Sequence, residues 1–297
     1  MTAKPPQFLT GSKKQGPRTQ LSAFSKTLGA APLSAWFGLL VVIAYVLTAL
    51  LAPWLAPHGE ADIVGNSYDP WGGNFVLGTD QLGRDVLSRL IYGARNTIGI
   101  AFVTTCLSFF VGGMLGLLAS VLGGWTDQLL ARVVDVLMAI PQLVFTLVLV
   151  SIFGSSVINL ILIIAMLDAT RVFRLSRAVA TNVVAMEFIE AARLQGQTLL
   201  WIMTREVLPN IMPPLVAEFG LRFCFVFLTI SALSFLGLGI QPPSADWGAM
   251  VRENATLITY GDITPLLPAG AIALLTVAVN FVVDWFLHKS SGLKNAR

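Results

Sequence analysis

Six stretches of mainly apolar residues are set along the chain among polar segments that hold nearly all of its charge. They run from Leu33 to Leu55, Thr97 to Leu122, Val134 to Gly154, Ser155 to Phe173, Pro213 to Leu238 and Ile263 to Leu287. About 20 apolar residues rising about 1.5 Å each cross about 30 Å of hydrocarbon, so each stretch predicts a membrane-spanning helix. The fourth is the shortest before a charge, since Arg171 follows Thr170 after about 24 Å of helix. Either Asp168 is partly buried there or Arg171 snorkels toward the surface. Composition agrees with the pattern: 55% of residues are hydrophobic, 12% are charged and mean hydropathy is +0.76, whereas an average soluble domain is about 25% charged. The expected fold class is an all-α polytopic membrane protein with six transmembrane helices.

Orientation follows from the Lys and Arg residues outside the spans, because positive loops stay on the cytoplasmic side. With the amino terminus inside, Lys4, Lys13, Lys14, Arg18, Lys26, Arg132, Arg171, Arg174, Arg177, Arg193, Arg205, Lys289, Lys294 and Arg297 are cytoplasmic. Only Arg84, Arg89, Arg95 and Arg252 lie on the other face, beside eight acids between Glu60 and Asp262. Both termini are thus expected in the cytoplasm. The organisation predicted is a disordered cytoplasmic tail over 1–32, a first helix and external segment over 33–96, and a transmembrane domain over 97–297 with a cytoplasmic loop at 174–212. The net charge of +3 reports this orientation. It gives no support for a nucleic-acid partner, because the basic residues are not gathered on one soluble module.

The chemistry that can be excluded is broad. Two cysteines, Cys106 and Cys224, and two distant histidines, His58 and His288, assemble no metal-ligand spacing. Gly11 to Pro17 lacks the Gly-Lys-Ser/Thr ending of a phosphate-binding loop. No nucleophile, base and orienter group together, so no catalytic residue and no cofactor is expected in this chain.

The long connections are more informative. Met186 to Leu194 alternates apolar and polar positions at helical spacing, which predicts an amphipathic helix at the membrane surface. Gly196 is expected to end it, and Pro209 to stop a second short helix before the next span begins near Pro213 and Pro214. An ordinary amphipathic connector fits this spacing equally well. On the outside, Asp80 is expected to cap an interfacial helix whose apolar stripe is Leu82, Val86, Leu87, Leu90 and Ile91. Within the spans, Glu218 and Arg222 are four apart, with Asp168 and Asp284 on neighbouring segments. An unpaired charge at that depth costs about 2.5 to 3.5 kcal/mol, so Arg222 is expected to pair with one of these acids.

Three motifs carry a resemblance to a known family. Glu190-Ala191-Ala192, three residues, Gly196, eleven residues, then Leu208-Pro209 resembles the cytoplasmic signature of ABC importer permeases, whose coupling helix docks on the ATPase. Glu206, where an aliphatic residue is commoner, and Gln197, where a small one is, depart from that pattern and bear on partner choice. Gly78-Thr79-Asp80-Gln81-Leu82-Gly83-Arg84-Asp85, continuing to Arg89, resembles the external segment of the C-type subunit of peptide and nickel importers. Gln241 to Met250, with Asp246-Trp247-Gly248, resembles the Pro-rich Trp-Gly loop of the same family.

The resemblance covers about Leu33 to Leu293 and implies a type I ABC permease fold in a bacterial inner membrane. The implied partners are a second, non-identical permease, two ATP-binding subunits that hold the ATP, an extracytoplasmic solute-binding protein and the surrounding lipid. The implied coupling residues are Glu190, Ala191, Ala192, Gly196, Leu208 and Pro209. An external gate would comprise Gly78, Thr79, Asp80, Gly83, Arg84, Asp85, Asp246, Trp247 and Gly248, and a translocation path Glu218, Arg222, Asp284 and Asp168. Peptides are the implied solute, with nickel or opine-type solutes as alternatives within the family. A self-contained channel or secondary transporter is the alternative from another class, and would leave the Glu-Ala-Ala loop without a purpose.

Overall fold

The computed structural model describes residues 32–290, so the tail expected over 1–32 lies outside the described residues except for Pro32. The elements in chain order are α1 (Leu33–Leu55), α2 (Val86–Leu122), α3 (Gly124–Met138), α4 (Gln142–Phe153), α5 (Val157–Val184), α6 (Glu187–Leu194), the single turn α7 (Leu199–Trp201), a π turn (Ile202–Val207), α8 (Leu208–Phe235), α9 (Trp247–Asn254), a 3-10 turn (Ala255–Tyr260) and α10 (Leu266–Ser290). Strand-like pairing among the described residues is limited to two isolated bridges, Ile63 with Arg84 and Thr79 with Asp85. The fold is all-α, as expected.

The count of six spans is not reproduced one for one. Leu33–Leu55, Val86–Leu122, Leu199–Phe235 and Leu266–Lys289 are each long and apolar enough to cross a bilayer, and a bent helix pair raises the number to five at most. That pair replaces the third expected span: α3 and α4 meet at 86° across Ala139 to Pro141. Pro141 supplies no N–H and its ring opposes continuation of the helix before it, so the apolar run bends there. At 12 residues α4 is about 18 Å long, too short to cross by itself. The fourth expected span does form a helix, α5, but it runs on to Val184 and carries Asp168, Arg171, Arg174 and Arg177.

Two other expectations are corrected. Helix α2 starts at Val86, with the Asp85 carboxylate accepting from the Ser88 N–H at 3.0 Å, so Asp85 and not Asp80 is the cap. The supposed interfacial helix is the first turns of α2. Gly83, at φ +75°, prevents helix from starting earlier, and a Cβ there would lie 2.2 Å from the Gly65 carbonyl. Nor does Pro209 stop a helix, because Leu199–Phe235 runs as one 37-residue element. In the π turn the Leu208 N–H reaches back five residues to the Met203 carbonyl. The wider turn accommodates Pro209, which cannot donate, in the first turn of α8.

Packing centres on α2 and α5. Gly112 and Gly116, four apart, bring the two backbones together: a Cβ at Gly112 would lie 2.3 Å from the Ala169 carbonyl and one at Gly116 2.8 Å from the Phe173 carbonyl. Small residues allow this close approach where lipid offers no hydrophobic drive for helices to associate. At the end of the bundle where α2 begins, Trp247 is buried among Tyr45, Phe227 and Leu90, with edge-to-face rings at 5.7 and 6.1 Å and its indole N–H donated to the Leu90 carbonyl at 2.9 Å. It ties α9 to α1, α2 and α8.

The α2/α5 contact gives a paired prediction. Gly112→Ala pushes a methyl into a backbone carbonyl that cannot yield, and is expected to destabilise the chain by about 1 to 3 kcal/mol. Gly113→Ala meets only Ser176 Oγ at 4.0 Å and is expected to be close to neutral. Thermal unfolding of both variants in detergent checks the difference, and equal effects would contradict this packing.

Candidate functional site

Helix α6 follows directly from its sequence pattern. Ile189 and Ala192 are buried against Ile202, Met203 and Val207 of the π turn and against Leu117 and Val121 of α2. Glu187 and Glu190 sit in the first turn, where the helix dipole favours acids, and Arg193 in the last. The Arg193 guanidinium donates to the Val121 carbonyl at 2.8 Å, fastening α6 to the end of α2. Beyond it the chain reverses at Gly196, φ +75°, with the Gly196 N–H on the Arg193 carbonyl at 3.0 Å and the Gln197 N–H on the Ala192 carbonyl at 3.2 Å. This is the αL cap that glycine makes cheaply. A Cβ at Gly196 would touch nothing within 4 Å, so the requirement is conformational and not steric.

The opposite face of α6 is open. Glu190 and Ala191 are exposed, and so are Met186, Phe188, Leu194 and Leu200, with Leu194 at 84%. Leu208 is half-buried and Pro209 exposed at the start of α8. This face of α6 therefore presents exposed apolar side chains around Glu190, while the other face is buried.

Four charges carried by α5 and α8 converge on one place. Arg222 Nε lies 2.6 Å from Glu218 Oε1, and its Nη1 lies 3.7 Å from Asp168 Oδ1. Asp168 is fully buried on α5 and accepts from Ser108 Oγ of α2 at 3.2 Å, while Arg171 Nη1 approaches the same Oδ1 at 3.8 Å. Two acids and two arginines, supplied by α5 and α8, therefore balance one another. Asp284 is not part of this group: it is exposed on α10, where its carbonyl lies 2.8 Å from His288 Nδ1.

The segment before α2 closes a second charged cluster. The Asp80 carboxylate accepts from the Leu82 and Arg84 N–H groups at 2.8 and 3.0 Å, pairs with Arg84 Nε at 2.7 Å and also with Arg89. Glu253 of α9 completes it, 3.2 Å from Arg84 and 3.1 Å from Arg89. Burial pushes the Glu253 carboxyl above the ordinary range, and the Arg84 charge pulls it back. Gly78 receives the Val86 N–H on its carbonyl at 3.1 Å, and Thr79 Oγ1 receives the Asp69 N–H at 2.8 Å.

Asp246 caps α9, accepting from the Ala249 N–H and from Thr97 Oγ1 of α2, each at 2.9 Å. Gly248 lies against the Ser231 carbonyl of α8. Residues 78–89 and 246–248 thus pack together where the start of α2 meets α9 and α8.

Sequence reading missed Glu253 and Glu60, whose carboxylate receives the Ala245 N–H at 2.7 Å and the Asn96 amide at 2.9 Å. The signal present was the excess of acids over bases in the connections 56–96 and 239–262. It missed Asp127 as well, which holds Arg177 of α5 through a two-pronged contact, one prong at 2.6 Å.

The model of the binding-protein-dependent transport system inner membrane component family matches residues 109–290, and that of the N-terminal transmembrane domain of oligopeptide transport permease C matches residues 34–70. A di/tripeptide transport system permease protein, DppC, of Pseudomonas aeruginosa is 37% identical over 83% of this chain and 84% of its own length. A peptide transport system permease protein, SapC, of Escherichia coli is 35% identical over 92% of this chain and 94% of its own. A crystal structure of an amino acid ABC transporter shares the fold at 16% identity, with TM-score 0.51, covering 68% of this chain and 94% of that one. This chain belongs to the binding-protein-dependent transport system inner membrane component family and is a multi-pass transport permease rather than an enzyme.

Proposed function

We propose that this chain is the C-type permease of a peptide importer, spanning the bacterial inner membrane with both termini in the cytoplasm. A solute-binding protein delivers peptide to the outer face, and two ATP-binding subunits close on ATP. Helix α6 carries that closure into the membrane. The observation that supports this reading most is the two-faced α6, with Ile189 and Ala192 anchored on α2 and the π turn while Glu190, Ala191 and Leu194 stand free. Its matches to peptide permeases along most of its length support the solute class.

The chain pairs with a second, non-identical permease, and the path lies between the two. Glu218, Arg222 and Asp168 stand beside that path, where a partly exposed charge meets water or protein instead of lipid. The external residues Gly78 to Asp85 and Asp246 to Gly248 cover its outer end as a lid stiffened by the Asp80, Arg84, Arg89 and Glu253 pairs. Specificity then resides largely with the binding protein.

Three outcomes test this reading. Gly196→Val strains the αL cap and Glu190→Lys reverses the charge on the docking face. Each is expected to leave ATP hydrolysis by the reconstituted complex running while uptake falls about 5- to 150-fold, the effect of losing about 1 to 3 kcal/mol of coupling. Normal uptake in both variants would contradict the role of α6. Mass measurement on the intact complex is expected to find one copy of this chain beside a different permease, and two copies with no second permease would contradict the pairing.

For the buried charges, Arg222→Ala leaves Asp168 with Arg171 and Ser108 alone and Glu218 without its partner, and is expected to cost about 1 to 3 kcal/mol. Combining it with Asp168→Asn should cost less than the two changes summed. Thermal unfolding in detergent reads the cycle, and strict additivity with both Asp168 and Glu218 would contradict the pairing.

A further inference from the structure

Two apolar cavities lie end to end along α2 and α8. The outer one, about 610 Å³, is walled by Val46 of α1, Gly99 and Phe102 of α2, Phe219 and Phe223 of α8, and carries Arg95 at its outer end. The inner one, about 410 Å³, is walled by Phe109, Gly113 and Met114 of α2 and by Met212, Val216 and Phe219 of α8. Phe219 is the one residue that lines both.

Its ring meets Phe102 edge-on at 6.0 Å and Phe109 at 5.1 Å, within the range of favourable aromatic pairs. Phe102 and Phe109 are seven residues apart on α2, about 10.5 Å along its axis. The three rings therefore form one aromatic stack along the groove, with Phe102 in the outer cavity wall, Phe109 in the inner one and Phe219 between the two. No polar side chain belongs to it.

Charged residues flank the aromatic stack on α8 without lining either cavity. Glu218 precedes Phe219 and Arg222 precedes Phe223, and their side chains keep 20% and 14% of their surface accessible. Charges midway along the bundle are tolerated where they face protein or a water-filled cavity. Arg95 is exposed at the outer mouth and makes no ion pair among the described residues.

Resting on the permease reading above, we propose that Phe219, clasped by Phe102 and Phe109, is the apolar gate that divides the translocation path into an outer and an inner vestibule. Such a constriction closes by excluding water without any charge at the seal. Opening requires only that α8 turn or slide against α2, which would move Phe219 out from between its two partners. The second permease completes the wall that this chain leaves open.

The test uses the intact complex in right-side-out and inverted membrane vesicles, in a background of Cys106→Ser and Cys224→Ala. Gly99→Cys reports on the outer vestibule, where a Cβ meets nothing within 4 Å, and Met114→Cys on the inner, where the side chain is 38% exposed. The probe is a membrane-impermeant maleimide applied without ATP or solute. Gly99→Cys is expected to react only from outside and Met114→Cys only from inside. Phe219→Ala should abolish this sidedness, whereas Phe219→Leu, which keeps an apolar plug, should preserve it.

If Phe219→Ala lowers the yield of complex, Phe102→Ala opens the same stack from α2 and is expected to abolish the sidedness too. Sidedness that survives both alanine variants would overturn the gate. Uptake that persists while neither cysteine reacts from either side would also overturn it, because the groove would then face lipid, and would leave the permease reading standing.

Discussion

The close approach of α2 and α5 at Gly112 and Gly116 is the constraint on which the rest of this molecule depends. With no side chain at either position, the α2 backbone comes against the Ala169 and Phe173 carbonyls. That contact sets Ser108 within hydrogen-bond reach of Asp168 and so gives a buried carboxylate a donor on the neighbouring helix. It also aligns the carboxy-terminal ends of the two helices, where Arg177 reaches Asp127 and Ser120 Oγ reaches the Arg177 carbonyl at 3.1 Å. Helix α6 leaves the end of α5 and is pinned to the end of α2 through Arg193. A force applied to α6 therefore arrives at a helix pair too tightly packed to absorb it by deforming.

The charges divide between two jobs. Asp80, Arg84, Arg89 and Glu253 are nearly sealed from solvent and lock residues far apart in sequence, which suits a lid that holds its shape. Buried pairs of this kind add little net stability but make the loss of one partner costly, so they enforce one arrangement. Glu218 holds Arg222 at 2.6 Å, but Arg171 and Arg222 approach Asp168 Oδ1 more loosely, at 3.8 and 3.7 Å, beyond hydrogen-bond range. That looseness, beside an aromatic stack shared between two cavities, suits a region that changes state.

The parts legible in the sequence are those fixed by local physics. Apolar runs gave the helices, and the period of Met186 to Leu194 with Gly196 after it gave α6 and its cap. Long-range pairing was not legible. Glu253 is 169 residues from Arg84, and no periodicity in either segment announces the contact. Asp80 and Asp85 are both competent caps, and the choice fell to Asp85 because Gly83 takes a positive φ against the Gly65 backbone, a contact formed only on folding. Pro209 is a strong local breaker, yet the π turn before it widens the helix enough to continue. Pro141 acted as its residue type suggests, but the apolar positions on either side hid the bend. The chain also shows why Asp284 was grouped with the other acids and does not join them: its position along α10 allowed it, and its helix face does not.

The most direct measurement of the central claim, that α6 transmits ATPase closure through α2 and α5, is an electron cryomicroscopy map of the intact complex with and without a non-hydrolysable ATP analogue. Glu190, Ala191 and Leu194 should be buried in a groove of an ATP-binding subunit in both maps, with α6, α2 and α5 moving as one body between them. An α6 that stays in solvent, or one that shifts while α2 and α5 remain fixed, would contradict it.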